Sequence, residues 1–135
     1  RKNLLGSLVS GSVRSANAHV ANMLLAFYLA TGQDAANIVE GSQAITFAEV
    51  KGGDLYFTVT LPNLILGTIG NGKNLDFVKD NLELMGFDLN ASDELGAKKL
   101  AGLCAATVLC GELSLLAAQT NQGELMDAHK RIERS

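Results

Sequence analysis

An aspartate, two histidines and a glycine-rich loop are the groups in this 135-residue chain best suited to chemistry. Asp34 stands between Gly32 and an alanine-rich stretch, where a carboxylate most often caps a helix start and less often serves catalysis. His129 follows Leu125 by four residues and precedes Ile132 by three. Helical spacing turns it inward, and its ordinary pKa near 6.5 suits proton transfer at neutral pH; a hydrogen-bonded packing histidine fits the same pattern. His19 and Asn22 continue a polar row from Ser12 and Ser15, spaced three, four and three, which falls on one stripe of a helix. Such a stripe needs partners, either a small ligand or a satisfied network beneath a loop. Gly67-Thr68-Ile69-Gly70-Asn71-Gly72 leaves an apolar run and enters a helix, so its backbone N–H groups can point at a phosphate. It matches neither the Walker nor the dinucleotide fingerprint, and a tight turn accounts for it equally well.

Other reactive groups read more plainly. Glu112 interrupts an apolar stretch and is expected on a polar edge rather than as a buried acid. Cys104 and Cys110, six apart in the same stretch, have neither disulfide-framework nor metal spacing; they read as reduced core thiols, which places the chain in the cytoplasm. No metal site is expected.

Composition bounds the function classes. A net charge of −3, with 11 basic and 14 acidic residues, gives no basic surplus for nucleic acid and no acidic run for disorder. Apolar residues make up 47% of the chain, enough for one domain with a real core and too little chain for two. The longest apolar run, 100–111, has about 12 residues against the roughly 20 needed to span a bilayer, so it predicts a core helix rather than a membrane segment. The chain starts at Arg1 and enters patterned sequence with no signal-like leader, as expected of a piece of a longer protein.

The elements that must position these groups follow from periodicity. Residues 13–30 lack proline and precede Gly32, which predicts a helix with a left-handed stop; 23–30 are apolar on every side, which predicts burial. A short helix over 35–39 follows with Asp34 as its cap. Residues 44–48 and 55–61 are rich in β-branched and aromatic types around the turn Lys51-Gly52-Gly53-Asp54 and predict an antiparallel pair, with 64–66 a further strand. Asn74 caps a helix through Leu84 closed by Gly86. A long helix runs from about Glu94 to Gln119, with caps among 90–93. Asn121 and Glu124 have capping-box spacing for a last helix with Leu125, Ala128 and Ile132 as its stripe. The fold class is α+β, helix-dominated with a small antiparallel sheet.

Taken in order, Lys2-Asn3-Leu4-Leu5-Gly6-Ser7, Asn17-Ala18-His19-Val20-Ala21-Asn22, Gly32-Gln33-Asp34-Ala35-Ala36-Asn37, Asp54-Leu55-Tyr56, Gly67-Thr68-Ile69-Gly70 and Gly111-Glu112-Leu113-Ser114-Leu115 resemble the C-terminal part of the catalytic domain of class I 3-hydroxy-3-methylglutaryl-coenzyme A reductases. The resemblance covers essentially the whole chain. It implies a four-electron reduction in which two NADPH convert the thioester to mevalonate and release coenzyme A. It also implies that Asp34 and His129 are catalytic, and that Lys2, His19, Asn22, Leu115 and Ala118 line the substrate side. Gly67, Thr68, Ile69, Gly70 and Gly72 would then belong to one of two cofactor motifs. The catalytic glutamate, the lysine-bearing loop, the other cofactor motif and the small cofactor domain would all precede Arg1, so residues 1–135 alone are expected to be inactive, and the assembly to be at least a homodimer. Two departures stand out: Gly70-Asn71-Gly72-Lys73 where three glycines and a threonine are usual, and Asp127-Ala128 before the histidine where Lys-Ser is usual. A non-catalytic remnant that serves dimerisation or ligand binding, and an unrelated binding domain built on His19 and Asn22, are the competing readings.

Overall fold

Two helices, α2 (Val20–Ala30) and α5 (Glu94–Thr120), pack against each other and organise the rest of the chain. The computed structural model describes residues 2–11, 15–70, 72–88 and 94–133. On α2 the buried positions Val20, Leu24, Phe27 and Tyr28 recur at helical spacing and meet a row on α5 in which Leu100, Cys104 and Val108 lie one turn apart. Full burial of one such aliphatic side chain stabilises the fold by ~1.5–3 kcal/mol. Helix α4 (Asp76–Leu84) adds Val78 and Leu82 to this core. The remaining helices are α1 (Lys2–Val9), α3 (Ile38–Gly41) and α6 (Glu124–Ile132), and a single 3-10 turn, Ala35–Asn37, precedes α3.

The sheet is one antiparallel pair, β1 (Ile45–Lys51) and β2 (Asp54–Thr60), in register from Ile45 opposite Thr60 to Lys51 opposite Asp54. Gly52 and Gly53 both take positive φ, 60° and 95°, as a two-residue turn of the hairpin type requires. β2 packs on α5, while Phe47, Val50, Leu55 and Tyr56 of the hairpin are exposed. The α+β class therefore holds.

Several boundaries differ from expectation. α2 starts at Val20 rather than at residue 13, because Asn17 accepts the Val20 N–H at 3.2 Å and spends its amide on the Ser42 and Ala44 carbonyls. The segment before it is tied to β1 by a parallel bridge between Ala16 and Ile45, so Ser15 and His19 are not on a helix stripe, and Ser12 lies outside the described residues. α2 is not buried all round, since Leu25 and Leu29 are exposed. Residues 64–66 form no strand among the described residues; Leu64 and Leu66 instead pack against the core from a segment without regular structure. α1 had no counterpart in the periodicity reading and exposes Leu5, Leu8 and Val9. Leu75, not Asn74, holds the cap position of α4, and residues 90–93 lie outside the described residues. The stretch Gly96–Thr120 is long and apolar enough, by length and composition, to cross a membrane; here one side of it packs on α2.

Candidate functional site

Gly32 ends α2 with φ +63°, and the Gln33 N–H returns to the Tyr28 carbonyl at 2.8 Å, which throws Asp34 outward from the helix end. Asp34 is exposed, and its Oδ1 accepts the Ala36 N–H at 3.0 Å, so it caps the 3-10 turn and keeps its other oxygen without a partner among the described residues. The glycine-rich loop docks on this same turn. Gln33 lies buried and pairs with Gly67 twice, donating Nε2 to its carbonyl at 3.1 Å and accepting its N–H at 3.0 Å. Gly72 donates its N–H to the Gly32 carbonyl at 3.2 Å, and Lys73 Nζ reaches the same oxygen at 3.0 Å. Partial burial lowers the Lys73 pKa. The approach is too close for side chains: a Cβ on Gly32 would lie 2.8 Å from the Gly72 carbonyl carbon.

Between those anchors Thr68, Ile69 and Gly70 are exposed, their N–H groups carry no hydrogen bond among the described residues, and Gly70 takes φ +82°. A loop pinned at both ends with free donors in the middle can receive a phosphate or pyrophosphate group. Asn71, where the loop departs from the usual three glycines, lies outside the described residues.

A second cluster surrounds the start of α2. His19 occupies the cap position and Asn22 the first turn, with the Asn22 N–H donated to the His19 carbonyl at 2.9 Å. The structure thus brings these two residues together, at a helix N-terminus instead of along a stripe. Glu112, expected on a polar edge, is fully buried and continues the row of Leu100, Cys104 and Val108 by one more turn. Its Oε1 accepts the His19 N–H at 2.6 Å, and its Oε2 accepts the Ala18 N–H at 2.8 Å and the Thr46 hydroxyl at 2.7 Å. The neighbouring Gly111 carbonyl receives His19 Nε2 at 2.7 Å. Leu115 and Ala118, both half-buried, lie four and seven residues beyond Gly111 and share its face of α5.

Two proposed residues fall elsewhere. His129 on α6 is 56% exposed, not turned inward, and its Nδ1 pairs with Glu133 at 2.8 Å. No residue of α6 is buried, because Leu125, Met126 and Ile132 find too little opposing surface in this chain. Lys2 opens α1, and its side chain lies outside the described residues. The sequence reading missed Gln33, Thr46 and Asn17 as the residues that hold the site together. Asn17 had a detectable signal, an Asn three residues before an apolar helical run. Gln33 and Thr46 had none, since each acts on a backbone or side chain distant in sequence.

Comparisons with known proteins point in one direction. The family model described as hydroxymethylglutaryl-coenzyme A reductase matches residues 1–134. A 3-hydroxy-3-methylglutaryl-coenzyme A reductase of Aeropyrum pernix is 47% identical over 134 residues, covering 98% of this chain and 31% of the relative. The proteins of the same name from Methanocaldococcus jannaschii and Pyrococcus horikoshii are 47% and 48% identical, again over 98% of this chain and 31% and 32% of the relative. The chain spans about a third of the length of these curated relatives.

Proposed function

The chain belongs to the hydroxymethylglutaryl-coenzyme A reductase family, and from that premise we propose that it supplies part of the active site for NADPH-dependent reduction of 3-hydroxy-3-methylglutaryl-coenzyme A to mevalonate and coenzyme A. The observation that carries this reading is the docking of the glycine loop on the turn that presents Asp34, which puts a free carboxylate and a candidate dinucleotide loop on one support. NADPH, when bound, supplies the hydride for each of two reductions. The loop fits it through small residues and through the unpartnered N–H groups of Thr68, Ile69 and Gly70.

Each reduction builds negative charge on a carbonyl oxygen, which a preorganised cation and donors must stabilise. Asp34 contributes by holding such a cation in place: one carboxylate oxygen is fixed by the Ala36 N–H and the other is free to pair with a lysine from another segment. Between the two reductions coenzyme A leaves as a thiolate, with an ordinary thiol pKa of about 8.5, and would re-attack the aldehyde unless protonated. His129 is the proposed proton donor, its Nδ1 engaged by Glu133 and its Nε2 without a hydrogen bond among the described residues. Lys2, His19 and Asn22 would hold the hydroxymethylglutaryl group, with Leu115 and Ala118 as the apolar wall. The working assembly is proposed to be a cytoplasmic homodimer or larger homo-oligomer.

The test is NADPH oxidation that depends on the thioester, measured for the complete gene product and for residues 1–135 alone. Activity in the first and none in the second is the expected result. Oxidation by residues 1–135 alone would refute the partial-site reading, and a complete product without activity would favour a non-catalytic remnant.

A further inference from the structure

Glu112 is a buried carboxylate whose partners all lie distant in sequence, and nothing in the proposed reaction requires it. It is fully buried, and its two oxygens receive three donors from two segments, the Ala18 and His19 backbone at the head of α2 and the Thr46 hydroxyl on β1. A carboxylate at a helix N-terminus is favoured by the helix dipole and by the unpaired N–H groups there. Here it comes from 93 residues away in the chain. The approach of α5 that delivers it depends on Gly111, where a Cβ would fall 2.5 Å from Met23 Cγ of α2.

The same helix acts on the His19 ring. A carbonyl oxygen can only accept, so the 2.7 Å contact between His19 Nε2 and the Gly111 oxygen requires the proton on Nε2. In the neutral ring Nδ1 then carries the lone pair, and it has no hydrogen bond among the described residues. Backbone and ring of one residue are thus fixed by two consecutive residues of α5.

Resting on the reductase reading of this site, we propose that Glu112 and the Gly111 carbonyl act as a positioning pair that locks His19 in its Nε2–H form and presents Nδ1 as a hydrogen-bond acceptor for a hydroxyl of the substrate. Glu112 touches no substrate and works only through His19. A ring held this way selects a ligand with a donor at that point, which the tertiary hydroxyl of a 3-hydroxy acyl group provides. It disfavours an analogue without that hydroxyl, because a lone pair would be left facing nothing.

Two measurements on the complete reductase test this. Glu112→Gln keeps the size of the side chain but replaces one acceptor oxygen with an NH2 group that meets a backbone N–H head-on. The expected outcome is a rise of about tenfold in KM for the thioester, the scale of one lost hydrogen bond, with kcat within about threefold and KM for NADPH unchanged. A folded variant with wild-type KM for the thioester would overturn the proposal. The second measurement needs no variant: nitrogen-15 NMR of the His19 ring in the wild-type protein, with and without the thioester. The proton is expected on Nε2 at neutral ring charge, and substrate is expected to shift Nδ1 far more than Nε2. A proton on Nδ1, or a response confined to Nε2, would rule the positioning role out. Should the wild-type protein show no thioester-dependent NADPH oxidation at all, the reductase reading fails instead, and the ring measurement without substrate still decides whether the lock exists.

Discussion

The two histidines of this chain are held in opposite ways. His19 is fixed through its backbone N–H and its ring by residues 93 and 92 positions away, on a helix buried against its own. His129 meets the Glu133 carboxylate four residues on, and both side chains are more than half exposed. The first arrangement makes the position of an imidazole a property of the tertiary fold. The second makes it a property of one short helix, whose start is braced by Asn121 Nδ2 donating to Glu124 Oε2 at 2.8 Å and which is otherwise thinly packed. A group that must stay put against a substrate belongs in the first setting, and a proton donor needed at one stage of a reaction tolerates the second.

The comparison is tested most severely on the well-tied side, at Asp34. In the complete reductase Asp34→Asn keeps the cap, because asparagine caps as well as aspartate, but removes the charge that would hold a lysine. The expected result is a loss of about 10²–10⁴ in kcat with unchanged thermal stability. A near-normal kcat would take the carboxylate out of the mechanism and leave the turn as structure only.

Next in size is the removal of the buried acceptor. Glu112→Met leaves the Ala18 and His19 N–H groups and the Thr46 hydroxyl without their partner, and buried donors left unpaired cost ~1–3 kcal/mol each. Relaxation recovers part of that, so a loss of about 3 kcal/mol in chemical denaturation is expected. Gly32→Ala should cost somewhat less, about 2 kcal/mol, from positive φ and the 2.8 Å approach to Gly72. A mild effect there would mean that the glycine loop can lift off the Asp34 turn.

The interior of the tied region also leaves an alkaline signature. Burial pushes the Cys104 thiol from 9.0 up to about 11 and raises the Tyr28 phenol. Below pH 9.0 folded and unfolded chains both keep the thiol proton. Between 9.0 and about 11 only the folded chain keeps it, so stability falls as pH rises through that window. Melting midpoints on either side of the window check the sign. Exposed Cys110 should meanwhile react with a thiol reagent in the native protein while buried Cys104 does not; equal labelling would mean that the α2–α5 core opens.

The sequence reading succeeded where one element carries its own instructions. The hairpin was marked by β-branched and aromatic residues on either side of Gly52-Gly53, the α2 stop by Gly32, and the body of α5 by the apolar run 100–111. It failed where a distant partner decides. Residues 15–19 look helical by composition, and only the claims of Ser42, Ala44 and Glu112 on that segment keep it out of the helix. Glu112 looked like an edge residue because its neighbours in sequence are apolar, yet it sits four residues beyond Val108 on the buried row, where its partners are backbone groups that carry no sequence signal. His129 failed for the opposite reason. Its stripe of Leu125, Ala128 and Ile132 is real, and the described residues supply nothing extensive for it to cover.

The smallest expected effect sharpens that last point. Glu133→Gln removes the carboxylate that contacts His129 without touching any buried group, and exposed contacts of this kind contribute ~0–1 kcal/mol even when both groups are charged. Stability measured in the same denaturation series should therefore change by less than about 0.5 kcal/mol, against the several expected for Glu112. Raised salt should leave even that difference smaller, because exposed charges are screened. A loss as large as that at Glu112 would show that α6 is packed in solution far more firmly than its exposed stripe indicates, and the contrast between the two histidines would collapse. With only a small loss, the proposed role of His129 as proton donor requires that whatever orients it come from beyond its own helix: bound substrate, or another segment laid against Leu125 and Ile132.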